Sequence, residues 1–338
     1  MREKLVNQLN GGEVLADSVI TGDNQVIVPK GTVLKEEYIG LMGILGINSV
    51  WIQDYYDTIE QKNEILTEGQ EKDFYNKIKF ILERYIYKEQ ETLNQVRPLA
   101  IEIVDSVRKN MKKKSTYDFE PYQADLYKHT LRVTLFSIML GICVDMKINR
   151  LYDLATGALL HDLGIRFIST DYYDFDMNKK LPSEILELKK HTILGYTVLE
   201  NEAWISDVVK KMVLSHHEKS DGSGYPLKQK NQEIECKIIQ LCDSFDGMLC
   251  GMECVKTNVE LAFSEIETNI QEYDKKLVKI FMNTIATYPV GTKVKLKNGK
   301  EAIVVKQAKI PNQPVVYVLD SKCSSIEEIE NTVVKMDL

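Results

Sequence analysis

The apolar positions change period along the chain. VLADSVI (14–20) and QVIVPKGTVL (25–34) are β-rich runs separated by the turn-forming TGDN (21–24). KEEYIGLMGILG (35–46) has helical spacing, and INSVWIQ (47–53) reads as a closing strand. From about Glu71 to Lys114 the pattern is long and helical, with Phe74, Ile78, Ile81, Leu82 and Tyr85 on one face. KNMKKKST ends it as a solvated helix terminus whose cations suit the dipole. Between Phe119 and Ala286 almost every segment keeps helical periodicity. At the tail the period falls to two: YPVGTKVKLKNGKEAIVVKQ alternates and breaks at Asn298-Gly299, a hairpin signal, and PVVYVLD adds a third strand. The expectation is a mainly α protein. Its helical bundle spans 119–286, preceded by an α/β module over 1–65 and a helical connector over 66–118, and followed by a small β appendage over 287–338.

Composition narrows the class. The 338 residues are 44% apolar and 28% charged, ordinary for a globular protein. A net charge of −7 argues against a nucleic-acid polymer as partner. The six cysteines form no C-x-x-C pair and read as buried thiols of a reducing compartment. The start MREKLVNQLNGGE lacks a signal-peptide core. The most apolar stretch, LRVTLFSIMLGICVDM, is too short to span a membrane and carries Arg132 at its head. A cytoplasmic location is expected. The flanking modules carry no ligand chemistry, so they are the surfaces expected to face a signalling partner or a second copy of the chain.

The chemistry is concentrated in the helical region. All five histidines, His129, His161, His191, His216 and His217, lie there, with Asp125, Asp162 and Asp243 beside or after them. Imidazole and carboxylate suit borderline to hard metals that act on phosphate. Asp125 and His129 stand at i, i+4, so one helix face presents both. His161-Asp162 closes LYDLATGALLHDLG, where Gly164 is placed to stop the helix. Gly195, one turn after His191, leaves room for a close neighbour. Adjacent helical residues diverge by about 100°. The pair His216-His217 therefore suits two metals better than one, and Asp162 can bridge two ions while His161 and Asp243 serve one of them. Two metals suit in-line displacement at phosphorus. After the pair, Asp221-Gly222-Ser223-Gly224 is a turn that allows close backbone approach, and Tyr225-Pro226 forces an extended step. Tyr225 is then available to stack on a base or to donate to a phosphate.

His129, HD at 161–162, HTILG from 191, HHEKSDGSGYP from 216 and Asp243 in CDSFDGM together resemble the HD-GYP domain, a subgroup of the HD superfamily of metal phosphohydrolases. The resemblance covers about residues 119 to 260 and is most specific in HHEKSDGSGYP. It implies a helical bundle with metals held between helices. The implied activity is hydrolysis of cyclic di-GMP, or a related cyclic dinucleotide, to linear pGpG and sometimes on to GMP. The implied cofactors are two or three divalent ions, iron or manganese, held by His129, His161, Asp162, His191, His216, His217 and Asp243. Asp125 stands where trinuclear members have a glutamate ligand. Gly222, Gly224, Tyr225 and Pro226 are the candidate substrate-binding residues.

Three positions depart from the family pattern. Ile165 occupies the lysine position of HDxGK, with Arg166 following. Lys237 replaces an arginine before the Asp243 segment, keeping charge and losing the bidentate fork. CGMECVK stands where a basic segment usually follows FDA. Beside Asp162, the candidate catalytic side chains are Lys237 and Arg166. The alternatives to a cyclic dinucleotide phosphodiesterase are a receptor that binds the nucleotide without turnover, and an HD-type hydrolase acting on another nucleotide.

Overall fold

The computed structural model describes all residues except 21–24, 54–58, 88–89, 113, 120–121, 309–312, 320–324, 329–332 and 337–338. The expected turn TGDN and Lys113 lie outside the described residues. So do Asp320 of the third tail strand and Cys323. Two compact units emerge: Glu64–Thr287, and Met1–Asn63 together with Tyr288–Leu338.

The larger unit is helical. Its helices are α2 (Glu68–Ile86), α3 (Val96–Asn110), α4 (Leu126–Cys143), α5 (Ile148–Leu160), α6 (Pro182–Lys189), α7 (His191–Leu199), α8 (Asp207–Ser215), α9 (Ile234–Cys250), α10 (Val259–Thr268) and α11 (Lys275–Thr284). α1 (Glu36–Ile44) belongs to the other unit. α4 is buried on nearly every side, as its continuous apolar sequence requires, and packs against α5 and α9. Phe136, Phe245 and Phe281 meet edge to face at its centre. The long helical run beginning at Glu71 divides into α2 and α3. α2 buries Phe74, Ile78, Ile81 and Leu82, the apolar face read from the spacing. Those residues and Leu99, Ile103 and Val107 of α3 join the same core as α4 and α5.

In the other unit, β1 (Arg2–Leu5) pairs antiparallel with β4 (Ser49–Ile52), and β2 (Val19–Ile20) with β3 (Val26–Val28). Leu15, Val28, Leu34, Met42 and Ile52 form its small core. The tail strands β5 (Lys293–Leu296), β6 (Glu301–Lys306), β7 (Val315–Leu319), β8 (Ser325–Glu328) and β9 (Val333–Met336) make an antiparallel sheet in the order β8-β7-β6-β5-β9. The β5–β6 turn sits at Asn298-Gly299, where Gly299 adopts φ +82°. The fold is the expected one, mainly α with small antiparallel sheets from both ends of the chain. Strands β1, β8 and β9 were not expected from the alternation of residues.

Candidate metal centre

Three of the five histidines sit where a helix stops. α5 ends at Leu160, α8 at Ser215, and α6 at Lys189, two residues before His191. Carbonyls of a final helical turn lack intrahelical donors. His161 Nδ1 donates to Ala158 O at 2.7 Å, His191 Nδ1 to Leu188 O at 2.8 Å and His216 Nδ1 to Val213 O at 2.8 Å. Each bond fixes one tautomer and leaves the Nε2 lone pair free to face inward. His129, in the first turn of α4, reaches the same state differently: Nδ1 lies 2.8 Å from Asp246 Oδ2, a carboxylate also bonded by the Tyr122 hydroxyl.

These nitrogens converge on Asp162, whose two oxygens face different groups. Oδ2 lies 3.3 Å from His161 Nε2 and 3.6 Å from His129 Nε2. Oδ1 lies 3.7 Å from both His191 Nε2 and His216 Nε2. Asp243 joins the first group, with Oδ1 3.1 Å from His129 Nε2 and 3.6 Å from His161 Nε2. Its Oδ2 is 3.7 Å from His217 Nδ1. The donor atoms of His129, His161, Asp162 and Asp243 lie within 4.8 Å of one another, as do those of His191, His216 and His217.

Burial makes the arrangement costly unless a cation fills it. His161 and His216 are fully buried, and Asp162 is 5% exposed. His161 Nε2 and Asp162 Oδ1 have no hydrogen-bond partner. His191 Nε2 and His216 Nε2 stand 3.1 Å apart with both Nδ1 protons given to backbone carbonyls, so two lone pairs oppose each other. A cation between them removes that conflict. Among the described residues the ion-pair partners of Asp162 and Asp243 are all histidines. The buried cluster is therefore compatible with divalent metal. The protonation equilibria respond to the same crowding. Burial works against a charged His161, yet Asp162 and Asp243 beside it hold its pKa up at about 10. Burial and the neighbouring His217 push His216 down to about 4.

Glycines bring the elements together. A Cβ on Gly164 would stand 1.8 Å from His191 O and 2.7 Å from Gly195 N. The His161-Asp162 segment can thus lie directly against the start of α7. Gly164 does not stop α5, as expected from the sequence; the helix has already ended at Leu160, and the glycine's role is close approach. Gly195 has the neighbour its size was read to allow. Gly224 is equally constrained, because a Cβ would meet His217 O and Lys219 N, each at 2.4 Å. Gly222 has φ +84°, and Glu218 holds the far side of the loop by accepting from Gln229 N at 2.8 Å. Tyr225, followed by Pro226 in cis, stacks on His217 at 4.7 Å between ring centroids.

Other residues stand apart from this cluster. Asp125 is the N-cap of α4: Oδ1 accepts from Lys128 N at 2.8 Å and Oδ2 from the Tyr75 hydroxyl at 3.0 Å. A capping aspartate and an i, i+4 ligand look alike in sequence, and here the cap prevails. His216 and His217 do not diverge onto separate sides, because α8 ends at Ser215; their rings lie 4.3 Å apart. Lys237 reaches Asp274, the N-cap of α11, at 3.5 Å. Arg166 is exposed, and Ile165 is buried in the core. Glu253, from the departing CGMECVK segment, went unnoticed in the sequence. Its Oε2 lies 3.1 Å from His217 Nε2, and it forms a further donor group with Asp162 and His191.

Residues 126–248 match the family profile of the HD domain. It is 26% identical over 218 residues to the cyclic di-GMP phosphodiesterase PdeB of Borreliella burgdorferi, covering 60% of this chain and 57% of that protein. It is 24% identical over 184 residues to a cyclic di-GMP phosphodiesterase of Pseudomonas aeruginosa, covering 54% of this chain and 44% of the relative. The chain thus spans about half the length of these curated relatives. An HDG"Y"P protein from Bdellovibrio bacteriovorus shares the fold, with a TM-score of 0.50 and 16% identity over 83% of this chain and 97% of the other. Among the described residues no helix is long and apolar enough to cross a membrane.

Proposed function

We propose that the chain is a metal-dependent phosphodiesterase that hydrolyses cyclic di-GMP, or a related cyclic dinucleotide, to linear pGpG. The observation that carries the reading is Asp162, whose two oxygens face two different histidine groups. Its relatives' names supply the substrate class. His129, His161 and Asp243 would hold one ion, and His191, His216 and His217 the other, with Asp162 between them. The donors that face Asp162 are imidazole and carboxylate, which suit iron or manganese, while Cys250 lies 3.9 Å from His129 Nδ1 rather than from the Nε2 that faces the cluster. When bound, such a pair supplies Lewis acidity where negative charge develops on phosphate oxygens.

The chain's own residues do the positioning. The backbone carbonyls behind His161, His191 and His216 lock the imidazoles before substrate arrives. Tyr225 offers an aromatic surface at the edge of the centre, and Lys189 places a cation 5.0 Å from that ring, where a phosphate or base can meet both. Proton delivery to the leaving oxygen from Lys237 is disfavoured by its ion pair with Asp274. Arg166 is exposed.

Product chromatography tests the reading. Anaerobically prepared protein loaded with Fe²⁺ or Mn²⁺ should convert cyclic di-GMP to pGpG, and Asp162→Ala should not. Metal-loaded protein that binds the nucleotide and leaves it intact would favour the receptor instead. Buried Ile165 is the observation on that side, since it removes a cation from beside the centre.

A further inference from the structure

We propose that Glu253 is a metal ligand of this centre, supplied by the loop after α9. The inference rests on the phosphodiesterase reading only for the existence of a metal centre. Its two oxygens both reach the cluster. Oε2 lies 3.1 Å from His217 Nε2 and 3.5 Å from the Tyr225 hydroxyl. Oε1 lies 3.3 Å from His191 Nδ1, but that N–H is already given to Leu188 O at 2.8 Å. Oε1 is accordingly buried with no donor. A buried carboxylate oxygen without a donor calls for a partner, and a cation shared with the neighbouring ligands supplies one. Glu253 forms a donor group with Asp162 and His191, on the side of Asp162 opposite His129.

The loop is built to deliver it. α9 ends at Gly251, which adopts φ +82°, and a Cβ there would strike Asp174 Oδ1 at 2.6 Å. Asp174 N donates to Gly251 O at 2.8 Å and Glu253 N to Tyr172 O at 2.7 Å. Backbone is thus pinned up to the Glu253 amide. Asp125, the residue expected to add a carboxylate, is occupied as a helix cap.

Mn²⁺ titration followed by the electron paramagnetic resonance of the free ion decides it, with circular dichroism checking each fold. Wild type should take up two ions per chain. Glu253→Gln should lose one, or hold it about tenfold or more weakly, the scale at which perturbed metal environments respond. Asp125→Asn should retain both. Two ions held by Glu253→Gln at wild-type affinity would overturn the inference and leave Glu253 as an ion-pair partner of His217. Were Glu253→Gln to unfold, Glu253→Asp decides: the shorter carboxylate should weaken one site, and unchanged binding would again overturn the assignment. A wild type that takes up no Mn²⁺ would sink both this inference and the phosphodiesterase. A wild type with two ions that leaves cyclic di-GMP intact would remove only the latter, and the titration would still settle Glu253.

Discussion

A histidine placed just past a helix end can give its Nδ1 proton to a carbonyl that the helix leaves unpaired. His161, His191 and His216 all do so, which settles their tautomers before any metal arrives. His129 uses Asp246 for the same purpose. Replacing Asp246 by Asn keeps an acceptor but removes the charge that raises imidazole basicity. Metal affinity should fall about tenfold to a hundredfold. A Mn²⁺ titration showing wild-type affinity would remove Asp246 from that role. Asp162→Ala should lose metal and turnover while the helical circular dichroism stays unchanged; full metal content in that variant would defeat the bridge. The histidines and their two aspartates were legible in the sequence because those residue types are scarce and closely spaced. Glu253 was not, because the loop after Gly251 has no periodicity that could signal where its side chain goes. Asp125 is ambiguous for the opposite reason, since its spacing from His129 fits a ligand pair and a helix cap equally well, and the structure shows the cap.

At the scale of elements, the contact between Gly164 and the first turn of α7 brings the two halves of the centre together. A methyl group there would stand 1.8 Å from a backbone carbonyl, which cannot rotate aside. Gly164→Ala should cost about 1–3 kcal/mol, the range for overpacking, and should lower metal content as α7 moves away. Thermal melting and metal analysis check the two effects together; a fully loaded variant with wild-type melting would refute the contact's role. α2 offers a control. Thr67 and Gln70 form a reciprocal capping box there, and Thr67→Ala should destabilise by about 1 kcal/mol without changing metal content. Helix faces were readable from periodicity, as Phe74, Ile78, Ile81 and Leu82 illustrate. Helix ends were less so. α5 stops four residues before its glycine, and α8 stops before its histidine pair, because the ring nitrogens satisfy the terminal carbonyls without the usual glycine signal.

For the whole molecule, the chain is acidic, and under the proposed function the charge that meets an anionic substrate would come from the metal centre rather than from surface lysines. Asp162 belongs to two of the donor groups, one with His129, His161 and Asp243 and one with His191 and Glu253. An anomalous difference map from crystals of the Mn²⁺-loaded protein tests that arrangement most directly. Two peaks roughly 3.5–4 Å apart are expected, the spacing of two-metal phosphoryl-transfer sites, one on each side of the Asp162 carboxylate. One peak alone, or two that do not share Asp162, would contradict it.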